Sequence, residues 1–145
     1  MVILLIIIAC LLFLAAMYFY MIMPRVFGKP DTSFYRKWLY AHRGLYDNNS
    51  NAPENSLEAF RKAVEGGFGI EMDVQLSKDG IPVVFHDFTL KRICGAEGKV
   101  CDYTCQELQQ FRLCGSDQRI PLFREALELV NGRVPLIVEL KLATM

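Results

Sequence analysis

The chain has 145 residues, and its 16 Lys and Arg are balanced by 16 Asp and Glu, so its formal net charge is zero. No basic run and no stripe of interleaved aromatics accompanies that balance, which leaves nucleic-acid binding without support. The apolar residues are unevenly placed: the first 24 positions contain no charged side chain.

Met1 to Met23 is almost entirely Val, Ile, Leu, Ala, Phe and Met. About 20 apolar residues span a bilayer core as a helix, and Tyr18 and Tyr20 near its end suit an interface. A cleaved signal peptide would want a basic start and a small-x-small cleavage site. No Lys or Arg precedes the run, and Ala15-Ala16 lies inside it. The expectation is one uncleaved transmembrane helix over residues 1–23. Arg25, Lys29, Arg36 and Lys37 follow it, against Asp31 alone of opposite sign. The positive-inside tendency then places a single-pass membrane protein with its globular part in the cytoplasm. Residues 24–38 read as a juxtamembrane linker broken by Pro24, Gly28 and Pro30. Phe34 and Trp38 are expected at the membrane surface or against the base of the globular part.

From residue 39 the pattern is that of a βα unit. Leu39-Tyr40-Ala41 is a short strand leading into His42-Arg43-Gly44, and residues 45–54 form an Asn-rich polar loop. A helix is expected from Asn55, with Asn55 and Glu58 as a capping box. Leu57, Phe60 and Val64 form its apolar face, and Gly66-Gly67 stops it. The strand that follows holds Glu71 and Asp73, which share a face because they lie two apart. Asp79-Gly80 is a hairpin signal, leading into Ile81-Pro82-Val83-Val84-Phe85 and then His86-Asp87. Registers that set Asp73 opposite His86 are natural ones, since both are equidistant from the turn centre; a one-residue slip would exchange faces. After an irregular stretch through Gly98, Thr104 and Glu107 form a second capping box, with Leu108 and Phe111 turned inward. Ile120-Pro121 opens a third helix, whose buried stripe is Leu122, Phe123, Ala126, Leu127 and Val130, ending at Asn131-Gly132. Val134 to Leu140 is a further strand, interrupted by Glu139. A nearly continuous apolar run is the mark of a strand covered on both faces, and a buried carboxylate there needs a partner or a metal. Lys141, two along, shares its face.

Glu71, Asp73 and Glu139 offer hard oxygen ligands, which select Mg²⁺ or Ca²⁺ over zinc. The competing reading is three strand-end carboxylates paired with Arg or Lys. His42 and His86 are the chain's two histidines, each closing an apolar strand, and imidazole titrates where general acid–base chemistry needs it. Arg43 suits a phosphate clamp or an ion pair with Glu54 or Glu71. Glu54 is expected to orient Arg43 or the metal shell, and Lys141 to bind phosphate or pair with Glu139. Asp87 is expected to fix His86 or the following turn, and Asn55 and Ser56 to act as caps. Cys94, Cys101, Cys105 and Cys114 match no zinc spacing. They read as reduced thiols in a reducing compartment, with a disulfide open if the domain is external.

Taken together, His42-Arg43-Gly44, Pro53-Glu54-Asn55-Ser56, Glu71-x-Asp73, Lys78-Asp79-Gly80, His86-Asp87 and Glu139-Leu140-Lys141 resemble the glycerophosphodiester phosphodiesterase family. Six motifs in order are far more specific than any one. The resemblance runs from about residue 39 to the C-terminus and covers the N-terminal part of the domain. It implies an α/β fold, part of an irregular (β/α)₈ barrel of the TIM type; such barrels take about 250 residues, so the chain reads as a truncated one with its later strands missing. It further implies Ca²⁺ or Mg²⁺ on Glu71, Asp73 and Glu139, and His42 and His86 as the acid–base pair in hydrolysis of a glycerophosphodiester to glycerol 3-phosphate and an alcohol. A membrane anchor suggests a variant acting on lysophospholipids. An inactive fragment that merely binds metal or a partner subunit is the reading from another class.

Overall fold

In a computed structural model the chain is described at residues 1–23, 28 and 30–142, and these divide into two compact units, Met1–Ser33 and Phe34–Met145. Pro24, Arg25 and Lys29, named above as linker breaker and flanking charges, lie outside the described residues. The first unit is dominated by helix α1, Val2–Ile22, 21 residues without a charge and with no buried side chain. At 1.5 Å per residue it is about 31 Å long, long and apolar enough to cross a membrane.

The second unit begins at Phe34, inside the segment expected as linker. A short helix α2, Ser33–Arg36, is followed by Trp38, which packs against the apolar core. Strand β1, Tyr40–His42, runs parallel to β2, Gly69–Leu76. Between them lies α3, Leu57–Glu65. Strand β3, Pro82–Val84, returns antiparallel to β2. The long connection that follows carries two one-turn helices, α4, Lys91–Cys94, and α5, Cys105–Leu108. Helix α6, Phe123–Val130, then leads to β4, Leu136–Leu140, which pairs parallel with residues 70–74 of β2. Because β4 occupies one edge of β2, β1 and β3 lie in tandem along the other. The three parallel strands therefore stand in the order β1-β2-β4, each joined to the next through a helix.

Two cores sit on opposite faces of this sheet. Ile70, Met72 and Val74 of β2 pack with Phe60 and Ala63 of α3, Ala126 and Val130 of α6, and Val84. The adjacent Val83 points the other way, as alternation in a strand requires, into a second core with Phe85, Leu90, Ile93, Val100, Leu108, Leu113 and Ile120. On β2 the same alternation puts Glu71, Asp73 and Gln75 on the face away from α3 and α6.

Several local expectations need correction. The helix starts at Leu57, not Asn55: Ser56 is the N-cap, its Oγ accepting from Ala59 N at 3.1 Å. The capping box at Thr104 and Glu107 forms as expected. The third helix begins at Phe123, because Pro121 and Leu122 are taken up by β3, Val84 N donating to Pro121 O at 2.9 Å. Leu127, expected inward, is 43% exposed. The hairpin register is also one residue off. Val74 pairs with Val84, which sets Phe85, not His86, opposite Asp73, and Phe85 N donates to Asp73 O at 3.0 Å. The loop has three residues centred on Asp79, closed by Ser77 N to Ile81 O, with Gly80 at φ 75°; the sequence expectation was a two-residue turn.

Candidate active site

The parallel strands bring their C-terminal ends to one side, where His42 closes β1 and Glu139 and Lys141 close β4. Between them on β2 stand Glu71 and Asp73. One carboxylate oxygen from each of Glu71, Asp73 and Glu139 lies within 4.8 Å of the others. The register explains this: Asp73 is level with Glu139, and Glu71 is level with His42.

Asp73 is 1% exposed, and its two oxygens differ. Oδ2 accepts from Asn55 Nδ2 at 3.0 Å and lies 3.5 Å from Arg43 Nε. Oδ1 is buried and ion-paired with Lys141 Nζ at 3.2 Å, the same ammonium that lies 2.6 Å from Glu139 Oε1. The donor set, three carboxylates whose oxygens converge within 4.8 Å, fits a hard cation such as Ca²⁺ or Mg²⁺. Glu139, expected in a strand covered on both faces, instead has a side chain 55% exposed, because β4 is paired with β2 on one edge only among the described residues. Lys141 does pair with it, and hydrogen bonding to Glu139 is the leading reason its ammonium is held above the usual lysine range.

Arg43 sits in the left-handed region at φ 59°. That conformation lets its N–H donate to Glu71 Oε2 at 3.1 Å and its C=O accept from Asn55 N at 2.9 Å. Its guanidinium donates to Glu54 Oε1 at 2.8 Å. Gly44 follows at φ +83°, and a Cβ there would come within 2.9 Å of Ala59 and Phe60. Only glycine lets β1 turn this close to α3. His42 Nε2 is 3.8 Å from Glu71 Oε2, its side chain 65% exposed.

His86 is fixed differently. Its Nδ1 is 2.6 Å from Asp87 Oδ1. Gln75 Nε2 donates to both Phe85 O and Asp87 O at 2.8 Å, clamping the backbone on either side of the histidine. Arg92 donates to Asp87 and to Glu54. Burial works against the Glu54 carboxylate, but hydrogen bonds from Arg92, Asn48 and Arg43 outweigh it and hold it down at about 2. Asp87 is held at about 2 as well, chiefly by its hydrogen bonds from Arg92.

The structure thus gathers Glu71, Asp73, Glu139, Lys141, Arg43 and His42 at one place, and links Glu54 to both Arg43 and the His86 segment. Sequence reasoning missed Asn55 as an Asp73 ligand, Gln75 as a clamp and Arg92 as a bridge. Asn55 carried one signal, since Asn is the non-glycine residue that best tolerates the left-handed φ of 57° found there.

Residues 42–144 match the model of the glycerophosphoryl diester phosphodiesterase family. The chain belongs to this family. It is 41% identical over 109 residues to a glycerophosphodiester phosphodiesterase of Caldanaerobacter subterraneus, covering 70% of this chain and 44% of that one. Against the human glycerophosphodiester phosphodiesterase 1 it is 34% identical over 111 residues, covering 70% of this chain and 33% of the relative. Among solved structures, a phosphodiesterase of Oleispira antarctica in complex with the product sn-glycerol-3-phosphate superposes with a TM-score of 0.65 at 35% identity, over 74% of this chain and 46% of that one. The chain therefore spans less than half the length of each of these members of the family.

Proposed function

We propose that this chain carries the metal and acid–base half of a membrane-anchored glycerophosphodiester phosphodiesterase, hydrolysing a glycerophosphodiester to glycerol 3-phosphate and an alcohol. The observation that supports this most is the convergence of Glu71, Asp73 and Glu139 within 4.8 Å, beside Arg43 and a histidine, at the C-terminal ends of three parallel strands. That is where catalytic groups of (β/α)₈ barrels sit, and β1, β2 and β4 are read as three successive strands of such a barrel. Glu71, Asp73 and Glu139 hold the cation, Ca²⁺ or Mg²⁺, which supplies charge neutralisation at the phosphoryl oxygens when bound.

The chain's own side chains do the rest. Arg43, braced by Glu54, presents its guanidinium to a phosphate oxygen, and Lys141 adds a second positive charge. One imidazole of the pair His42 and His86 takes the proton of the nucleophile attacking phosphorus. The other, starting as imidazolium, protonates the oxygen of the departing alcohol, so that water is consumed overall. The step leaves the two rings with exchanged protonation, which proton exchange with solvent resets before the next turnover. Asp87 keeps the Nδ1 side of His86 engaged, leaving Nε2 for proton transfer.

Helix α1 favours a second reading, in which the substrate is a lysophospholipid in the membrane that α1 crosses, with the globular part on the cytoplasmic side. Supplying the full chain in mixed micelles with glycerophosphocholine and with lysophosphatidylcholine separates the two. The first reading expects release of choline from the water-soluble diester and its loss by at least 10²-fold in His42→Ala and in His86→Ala. Turnover of the lysolipid alone would transfer the proposal to the second reading. Full activity in both histidine variants would overturn the acid–base assignment.

A further inference from the structure

Arg92 has no part in the reaction as proposed, yet its guanidinium joins two carboxylates from different loops. Its Nη1 and Nη2 donate to Glu54 Oε2 and Oε1 at 2.9 and 2.8 Å. Its Nε and Nη2 donate to Asp87 Oδ2 and Oδ1 at 2.7 and 2.8 Å. Asp87 Oδ1 is the same oxygen that meets His86 Nδ1. We propose that Arg92 is the positioning residue for His86: it locks the Asp87 carboxylate that accepts the Nδ1–H, and so leaves Nε2 as the free ring nitrogen.

A carboxylate held on both oxygens cannot turn about its Cβ–Cγ bond without breaking two charge-assisted hydrogen bonds. The ring of His86 is then oriented by Asp87, its backbone by Gln75, and Asp87 by Arg92. Arg92 is itself anchored, because Glu54 is 4% exposed and also binds Arg43 and Asn48. The same buried carboxylate therefore sets the phosphate clamp and, through Arg92, the second histidine. An ordinary surface ion pair would not behave this way. In such a pair both partners would be exposed, and lysine would serve as well as arginine. The Arg92 side chain is 47% exposed, but it meets a buried carboxylate, Glu54 at 4%, and a partly covered one, Asp87 at 21%. Here two planar forks are satisfied by one guanidinium, a geometry an ammonium cannot reproduce.

The chain's two histidines make the test direct. The full chain in detergent micelles, labelled with ¹⁵N in the imidazole rings, gives two ring spin systems, and His42→Gln assigns them. Above the titration range the wild type is expected to show His86 as the Nδ1–H tautomer. In Arg92→Lys and Arg92→Gln, with the amide spectrum of the fold retained, His86 shifts toward the Nε2–H tautomer that free imidazole prefers, while His42 is unmoved. In a turning-over preparation kcat falls about tenfold or more in both variants with KM nearly unchanged. Persistence of Nδ1–H in both variants overturns the proposal. So does an Nε2–H tautomer for His86 in the wild-type chain, without any variant being needed. The role takes its catalytic meaning from the phosphodiesterase reading, but the tautomer is read without turnover. A locked Nδ1–H in an inactive chain keeps the positioning role and removes that reading.

Discussion

Glu54 and Asp87 show how single side chains tie this site to pH. Both are held at about 2, from ordinary values of 4.5 and 3.8, because hydrogen bonds from Arg92 and its neighbours outweigh burial. A carboxyl whose folded value is depressed contributes stability that is fully present above its unfolded value and is lost as pH falls through the folded one. The window here runs from about pH 5 down to about pH 2. For Glu54 the effect is on the order of 3 kcal/mol, at ~1.4 kcal/mol per unit. Acid unfolding followed by circular dichroism should therefore steepen across that range. Glu54→Gln should be less stable at neutral pH, where Arg43 and Arg92 lose an anion, and should show a shallower acid slope. An unchanged slope in Glu54→Gln would mean that this carboxylate is not the group being titrated. At the same scale, Arg43 and Asn55 both hold positive φ, and each uses it to reach β2, Arg43 through its N–H on Glu71 and Asn55 through its amide on Asp73.

The elements themselves were largely visible in the sequence, and where they were misjudged the cause is local. The strand holding Glu71 and Asp73, the turn at Asp79-Gly80 and the helix over Leu57–Glu65 follow from alternation, turn chemistry and a 3.6-residue apolar face. The register slipped because Ser77 closes a three-residue loop by pairing its N–H and Oγ with Ile81 O, which composition alone does not distinguish from a two-residue turn. Asn55 looked like a cap because Asn caps well; its side chain is committed to Asp73, and the capping falls to Ser56. That assignment is testable at α3. Ser56→Ala should cost about 1 kcal/mol in a denaturant melt, while Glu58→Ala, which forms no capping box here, should stay within about 0.5 kcal/mol. Equal losses would restore the capping box the sequence suggested. Arg92 lay beyond reach of pattern reasoning, since nothing local says that position 92 meets position 54.

At the scale of the molecule, a long apolar helix precedes a unit built on three neighbouring parallel strands that gathers every residue named from the sequence as metal-binding, along with Arg43, Lys141 and His42. What periodicity could not supply was the exposure of β4. Ile137 is 47% and Leu140 72% exposed, where the apolar run had implied cover on both faces. The chain spans 44% of one relative and 33% of another, so the activity of the whole domain is a question this chain must answer by experiment. The most direct measurement is choline release from glycerophosphocholine by the full chain in micelles, with Ca²⁺ or Mg²⁺ titrated in and then removed by chelator. The account predicts turnover that rises with the cation, vanishes with chelator and is lost in Asp73→Asn. A folded sample that binds neither cation and releases no choline would contradict it.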